Sequence, residues 1–290
     1  MNGSEQVSKT AVLTDSASDI PRELEEKYGI DILPFSIVVD GQSYTERVDF
    51  TNEQYYEMLT KAEGIPKTSQ ITMLRFLEKF CTYADEGYTD VIFVSINSAG
   101  SNTYNAACMA AESLRDERPG CTMNVHVVDS HTYSMTYGWH VCKLQAGADV
   151  KSVVEYLEDQ LARMEIMLSM YTLRFVKKSG RVSAAAAFAG ELLGLRPIIH
   201  MVDDTTSTIA KVRGDSAVMP GLIVQTKKRM AEGTPYLIGA TDDGNAKMLA
   251  KMCKKEFGYA PAATFLLGAA VATNTGPNAV AIVYQGEKRR

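Results

Sequence analysis

At 290 residues the chain exceeds a typical single hydrophobic core, and its 46% hydrophobic and 22% charged residues are ordinary for a soluble globular protein. A formal net charge of −5 argues against broad binding to nucleic acid or anionic membranes, so any bound anion must be held by local groups. No apolar run reaches the roughly 20 residues that span a bilayer, and neither an export signal nor a CxxC pair is visible, so a cytoplasmic protein with reduced thiols is expected.

Three times in the first half an apolar strand runs into a hydroxyl-rich loop and then a helix. Residues 10–14 lead through the loop at 15–19 to a helix that has Pro21 in its first turn and stops at Gly29. Residues 35–39 and 42–45 flank Asp40-Gly41, a hairpin signal because both turn positions need positive φ. A helix over 52–61 with Thr51 as its cap follows, then a polar loop, Lys67-Thr68-Ser69-Gln70, and a helix from Met73. The second unit is a strand at 91–94, the loop 95–103 and a helix from about Tyr104 to Leu114. The third is a strand at 125–128, the loop 129–134 and a helix towards Gly147. Strands alternating with helices predict an α/β fold: a parallel sheet with helices on both faces.

Near Gly147 the character changes, which suggests one domain over 1–149 and a second over 150–290. Val153, Val154, Leu157, Leu161, Met164 and Leu168 sit at helical spacing. A basic stretch follows, Lys177-Lys178-Ser179-Gly180-Arg181, and then an alanine-rich helix over 183–193 closed by Gly194. Strand-like runs at 197–202, 207–212, 235–240, 264–272 and 279–284 make this half a mixed α/β domain.

The loop 95–103 is the most informative segment. It leaves a strand at the carboxyl edge of the expected parallel sheet and opens a helix, where α/β sheets bind ligands and free N–H groups meet anions. Gly100 permits close backbone approach, and Ser98, Ser101 and Thr103 add hydroxyls. Helix capping alone would explain one such loop, but three on neighbouring strands favour a shared polar site. The Lys67–Gln70 stretch, taken alone, also reads as a cap. No phosphate-binding glycine loop or G-x-S-x-G elbow occurs.

His131, two residues after Asp129, invites a hydrolase or phosphotransferase reading at the sheet edge, although no elbow or second acid accompanies it. His126, His140 and His200 read as structural, and Asp203-Asp204 and Asp242-Asp243 as turns rather than metal ligands. Thr273-Asn274-Thr275-Gly276-Pro277 reads as a turn between two apolar strands, with the Asn274 amide able to reach a ligand from the opposite domain.

Thr14-Asp15-Ser16-Ala17-Ser18-Asp19-Ile20-Pro21, Thr68-Ser69-Gln70 and the loop from Asn97 to Tyr104 resemble landmarks of the DegV family. Val128-Asp129-Ser130, Lys177 to Val182, Leu195-Arg196-Pro197-Ile198, Lys211 to Gly214 and Thr273 to Pro277 continue the series in order, so the resemblance covers essentially the whole chain. It implies a parallel-sheet N-terminal domain and a C-terminal α/β domain with an antiparallel sheet. It also implies one long-chain fatty acid between them, its tail in an apolar tunnel and its carboxylate at the domain interface. Better-understood members present that carboxylate to a separate ATP-dependent kinase, so no catalytic residue, metal or cofactor is expected here. By motif match, Thr68 and Ser101 would bind the carboxylate, with Ser69 and the N–H of Asn102 beside them and Asn274 where many members place a histidine.

Two departures from the family pattern matter: Asn274 replaces that histidine and Asn102 replaces a glycine. Asparagine donates hydrogen bonds but neither becomes cationic nor transfers a proton at neutral pH, so binding is expected to survive more readily than a part in phosphoryl transfer. A dozen buried methylenes would contribute roughly 10 kcal/mol before binding costs.

Overall fold

The apolar runs of the first half become β1 (Thr10–Asp15), β2 (Asp31–Leu33), β3 (Ser36–Val39), β4 (Gln42–Thr45), β5 (Lys67–Ser69), β6 (Asp90–Ser95) and β7 (Asn124–Asp129) in a computed structural model that describes residues 9–144, 149–183 and 194–287. Between them lie α1 (Arg22–Tyr28), α2 (Asn52–Lys61), α3 (Met73–Asp85) and α4 (Thr103–Glu117), and α5 (Met135–Val141) follows β7. The strands β2-β1-β6-β7 form a parallel sheet, and β4-β3-β5 form a small antiparallel one. β6 reads as a continuous apolar run because Val91 through Ser95 are buried, as a central parallel strand requires. The hairpin turn carries positive φ at both Asp40 (47°) and Gly41 (85°).

In the second half, α6 (Val150–Leu161) leads to β8 (Met164–Met170) and α7 (Arg174–Ser179). Next come β9 (Leu195–Val202), β10 (Thr205–Arg213), α8 (Val218–Lys227), β11 (Tyr236–Ala240), α9 (Asp243–Phe257), β12 (Ala263–Leu266), α10 (Ala269–Thr275) and β13 (Ala279–Gln285). Six strands in the order β10-β9-β8-β13-β11-β12 make a mixed sheet, antiparallel except where β11 meets β12. Its period-two alternation produces two apolar faces. Met167, Val280 and Ile282 join Leu222 of α8 and Leu249 of α9 in one core. Ile166 and Leu168, paired with Val283 and Ala281, point the other way and share a core with Leu13 and Phe93 of the parallel sheet. No helix among the described residues is long and apolar enough to cross a membrane.

Several sequence expectations change here. Met164 and Leu168 belong to a strand, not to the helix before it, which ends at Leu161; a short apolar run does not by itself separate helix from strand. The run 264–272 is split at Gly268 into a short strand and a helix, so Thr273 to Thr275 end that helix instead of forming a turn. The small, alanine-rich composition of this stretch favours helix. Lys67 to Ser69 form an edge strand paired with β3 rather than a loop. The alanine-rich helix expected over 183–193 falls almost wholly outside the described residues.

Gly138 in α5 offers a test of the packing. A Cβ there would lie 2.4 Å from the Ser18 carbonyl oxygen and 3.0 Å from Ile20 Cγ1. Gly→Ala in a helix ordinarily stabilises by about 1 kcal/mol. Gly138→Ala should instead destabilise by roughly 1–3 kcal/mol in urea unfolding, because the helix must move off the first loop.

Candidate functional site

Parallel pairing places the carboxyl ends of β1, β6 and β7 side by side, and their loops are tied together by buried polar groups. Asp15 at the end of β1 accepts from Ile96 N (2.7 Å), Ala17 N (3.1 Å) and the Tyr137 hydroxyl (2.6 Å). Asp129 at the end of β7 accepts from Ser98 N (3.2 Å) and His131 N (3.0 Å). Asn97 N donates to the Thr132 carbonyl (3.0 Å), and the Asn97 carbonyl accepts from Gly100 N and Ser101 N at 3.1 Å each. Three neighbouring loops thus form one rigid edge.

Between this edge and the inner face of the six-stranded sheet lies a cavity of about 640 Å³, within the range of small-molecule pockets. One end is apolar: Ile166, Leu168, Ala281 and Val283 from the paired strands, with Met201 and Phe265 beside them. The other end is polar, and Thr68, Ser69, Ser101, Asn102 and Asn274 all line it. Chains of residues far apart in sequence converge there: an edge strand, the loop before α4, and α10.

Each polar residue is held differently. Thr68 is half-buried and Ser69 exposed, as alternation along β5 requires. The Ser101 hydroxyl lies 2.9 Å from Thr103 Oγ1 and accepts from Thr103 N (3.3 Å), so it caps the helix as well as facing the cavity. Thr103 Oγ1 accepts from Ile71 N (3.4 Å), which ties the Thr68 segment to this loop. Asn102 is the N-cap of α4, but its Oδ1 accepts from Asn105 Nδ2 (2.8 Å) and makes no capping bond. The N-terminus of this 15-residue helix, and with it the positive end of its dipole, thus lies at the cavity wall, where Ser101 and Asn102 line it. Asn274 Nδ2 donates to the Ala270 carbonyl (2.8 Å), leaving its second N–H and its oxygen for other partners.

The lining also includes residues that sequence reasoning did not single out as ligand contacts. Arg181 is the one charged side chain among the described lining residues. Tyr133 and Arg181 line both this cavity and an adjoining polar cleft of about 730 Å³. Gly100 and Tyr133 approach closely: a Cβ at Gly100 would come within 2.4 Å of the tyrosine oxygen. Ser134 also lines the cavity, at φ 63° and ψ −154°, a region open to glycine and sterically costly for other residues. No spacing signal marks these positions.

The histidines have other partners. His131 Nδ1 meets Asp204 (2.9 Å) and Asp129 (3.7 Å), and among the described residues no hydrogen bond joins it to a serine or threonine hydroxyl. His126, His140 and His200 contact Asp90, Tyr156 and Glu165. Asp203 and Asp204 form the β9–β10 turn with positive φ, and Asp242 caps α9. Among the described residues no group of three or more His, Cys, Asp and Glu side chains is placed to hold a metal ion.

A family model described as the DegV family matches residues 9–287. A DegV domain-containing protein from Clostridium perfringens is 29% identical over 283 residues, spanning 95% of this chain and 98% of its own length. Among solved structures, a stearic-acid-binding protein from Eubacterium ventriosum has a TM-score of 0.85 at 23% identity, over 96% of this chain and 98% of that one, a likeness of fold. A fatty-acid-binding protein of the same family from Thermus thermophilus has a TM-score of 0.81 at 25% identity, over 96% of this chain and 99% of that one.

Behind the polar end lie three buried carboxyl groups, Asp15, Asp19 and Glu46. Burial raises the pKa of each above its ordinary value, that of Asp15 to about 7 although three donors oppose the rise. Because the folded-state pKa of Asp15 exceeds its unfolded value of 3.8, the folded state holds the proton more tightly. The resulting stabilisation is fully present below the unfolded pKa and is lost as pH rises through about 7. Asp15→Asn, which does not titrate, should therefore gain on the wild type by roughly 1–4 kcal/mol between pH 4 and 8 in paired urea titrations. A difference that stays flat with pH would show that Asp15 does not titrate in that window.

Proposed function

This chain belongs to the DegV family, and on that footing we propose that it binds one long-chain fatty acid. The observation that carries the reading is the division of a single cavity into two chemistries. Hydroxyls, amides and a helix N-terminus line one end, and the alternate residues of β8 and β13 line the other. In this reading Thr68, Ser69, Ser101, the N–H of Asn102 and Asn274 hold the carboxylate, and the tail lies along the sheet face between a domain of residues 1–149 and one of 150–290. The fatty-acid-binding relative from Thermus thermophilus supports the same ligand class.

The energetics favour such an arrangement. At ~0.8 kcal/mol for each buried methylene, the tail dominates affinity. The head group then needs only to have its hydrogen bonds with water replaced, which neutral donors accomplish. We further propose that the protein acts in the cytoplasm as a carrier and presents the acid to a separate kinase. Any proton transfer would then fall to the partner, because the Asn274 amide does not ionise. The His131 alternative receives no comparable support, since among the described residues no serine or threonine hydroxyl hydrogen-bonds its ring, whose Nδ1 meets Asp204 and Asp129.

Organic extraction of the purified protein followed by mass spectrometry should recover about one fatty acid per chain, as expected of one pocket of this size. Finding none, with none bound on addition, would overturn the reading. Ser101→Ala and Thr68→Val should each weaken binding by about 0.5–1.5 kcal/mol in titrations with a single fatty acid, with little change in fold.

A further inference from the structure

Asp19 touches none of the proposed ligand contacts at the cavity, yet it stands directly behind two of the cavity's walls. It ends the first loop in a left-handed conformation (φ 54°) and is buried, with 5% of its surface exposed. Its Oδ2 accepts the hydroxyl of Ser134, and its Oδ1 accepts from Gly268 N at 2.8 Å. Ser134 lines the cavity from the parallel-sheet side. Gly268 is the N-cap of α10, and Ala270, Val271, Asn274 and Thr275 of that helix line the cavity from the opposite side.

Two features indicate that this junction is built for close approach. Gly268 has an ordinary backbone conformation (φ −68°, ψ 169°), so flexibility does not account for the glycine. A Cβ there would fall 2.4 Å from Asp19 Oδ1 and 3.0 Å from Glu46 Oε1, so the absence of a side chain is what admits both carboxyls. Glu46 completes the grip by accepting from Ala270 N at 2.8 Å while it receives the Ser16 hydroxyl. On the other wall, Ser134 occupies a backbone region unfavourable to any residue with a Cβ, and its hydroxyl bond to Asp19 helps to keep it there.

We propose that Asp19 is the positioning residue of the cavity's polar end: one carboxyl fixes the Tyr133-Ser134 wall against the start of α10, and so sets Asn274 relative to Thr68 and Ser101. This rests on the fatty-acid reading above. The helix has seven residues, about two turns, so a shift at Gly268 would be passed along it to Asn274 near its other end. The helix also has anchors that do not involve Asp19. Tyr55 bonds the Thr273 hydroxyl, Tyr56 bonds the Leu267 carbonyl, and Ala269 and Ala272 pack into the core around Ile37 and Leu59.

The test compares affinity for palmitic acid with affinity for the primary alcohol of the same chain length, in the wild type, Asp19→Ala and Asp19→Asn. Alcohol affinity reports the apolar end, and the acid-to-alcohol ratio reports the polar end. In Asp19→Ala the ratio should fall by about fivefold or more while alcohol affinity changes less than about twofold. Asp19→Asn should restore the ratio, because its oxygen can still accept from Gly268 N while its amide donates to Ser134 Oγ. An unchanged ratio in Asp19→Ala, an equal loss of both ligands, or an asparagine variant as impaired as the alanine one would overturn the proposal. Should Asp19→Ala not fold, Ser134→Gly removes one link at a backbone position glycine adopts freely, and an unchanged ratio there overturns it equally. A wild type with no preference for the acid would instead overturn the fatty-acid reading itself, and this proposal with it.

Discussion

A sheet that is apolar on both faces must be covered on both. That constraint governs this molecule. Met167, Val280 and Ile282 are covered by α8 and α9 in the usual manner of an α/β layer. Ile166, Leu168, Ala281 and Val283 face the carboxyl edge of a second sheet, whose polar loops cannot pack as densely as a helix would. The space left over is lined by hydrocarbon on one side and by hydroxyls and N–H groups on the other. The proposed ligand, an amphiphile with one polar end, matches that division.

Local chemistry made much of this legible in the sequence. The Thr51 cap, the Asp40-Gly41 turn and the Gly29 stop each depend on a few adjacent residues, and each appears where those residues require it. The adjacency of β1, β6 and β7 followed from the repeated strand-loop-helix pattern. What stayed hidden depended on long-range partners. Met164 and Leu168 continue a helical spacing by coincidence, and only pairing with β13 and β9 makes that segment a strand. Asp19 was visible as part of a motif, but its bond to Gly268, 249 residues away, has no local signature. The same holds for Tyr133, whose meaning lies in the missing Cβ of Gly100.

The electrostatics of the polar end also differ from those of a conventional anion site. Arg181, an exposed residue at the mouth, is the one full positive charge among the described lining residues, and the remaining donors are neutral. Neutral donors satisfy a head group at short range without drawing it from a distance. On the proposed reading, discrimination among amphiphiles would depend on geometry, on whether donors from β5, the loop before α4 and α10 meet at one point. A network of buried acids behind the wall is consistent with that dependence, since it fixes backbone positions rather than contributing charge to the ligand.

The placement of β13 has a consequence for how the molecule comes into being. Residues 279–285 do not edge the sheet but lie in its interior, between β8 and β11. Their partners on one side, residues 164–170, are synthesised more than a hundred residues earlier. Until the later strand leaves the ribosome, β8 has an open flank and the cavity lacks Ala281 and Val283 from its floor. The parallel sheet can form during translation, whereas the pocket closes only once this strand is inserted. A ligand held in this cavity would be enclosed only after that insertion, and until then the unpaired flank of β8 is open to mispairing.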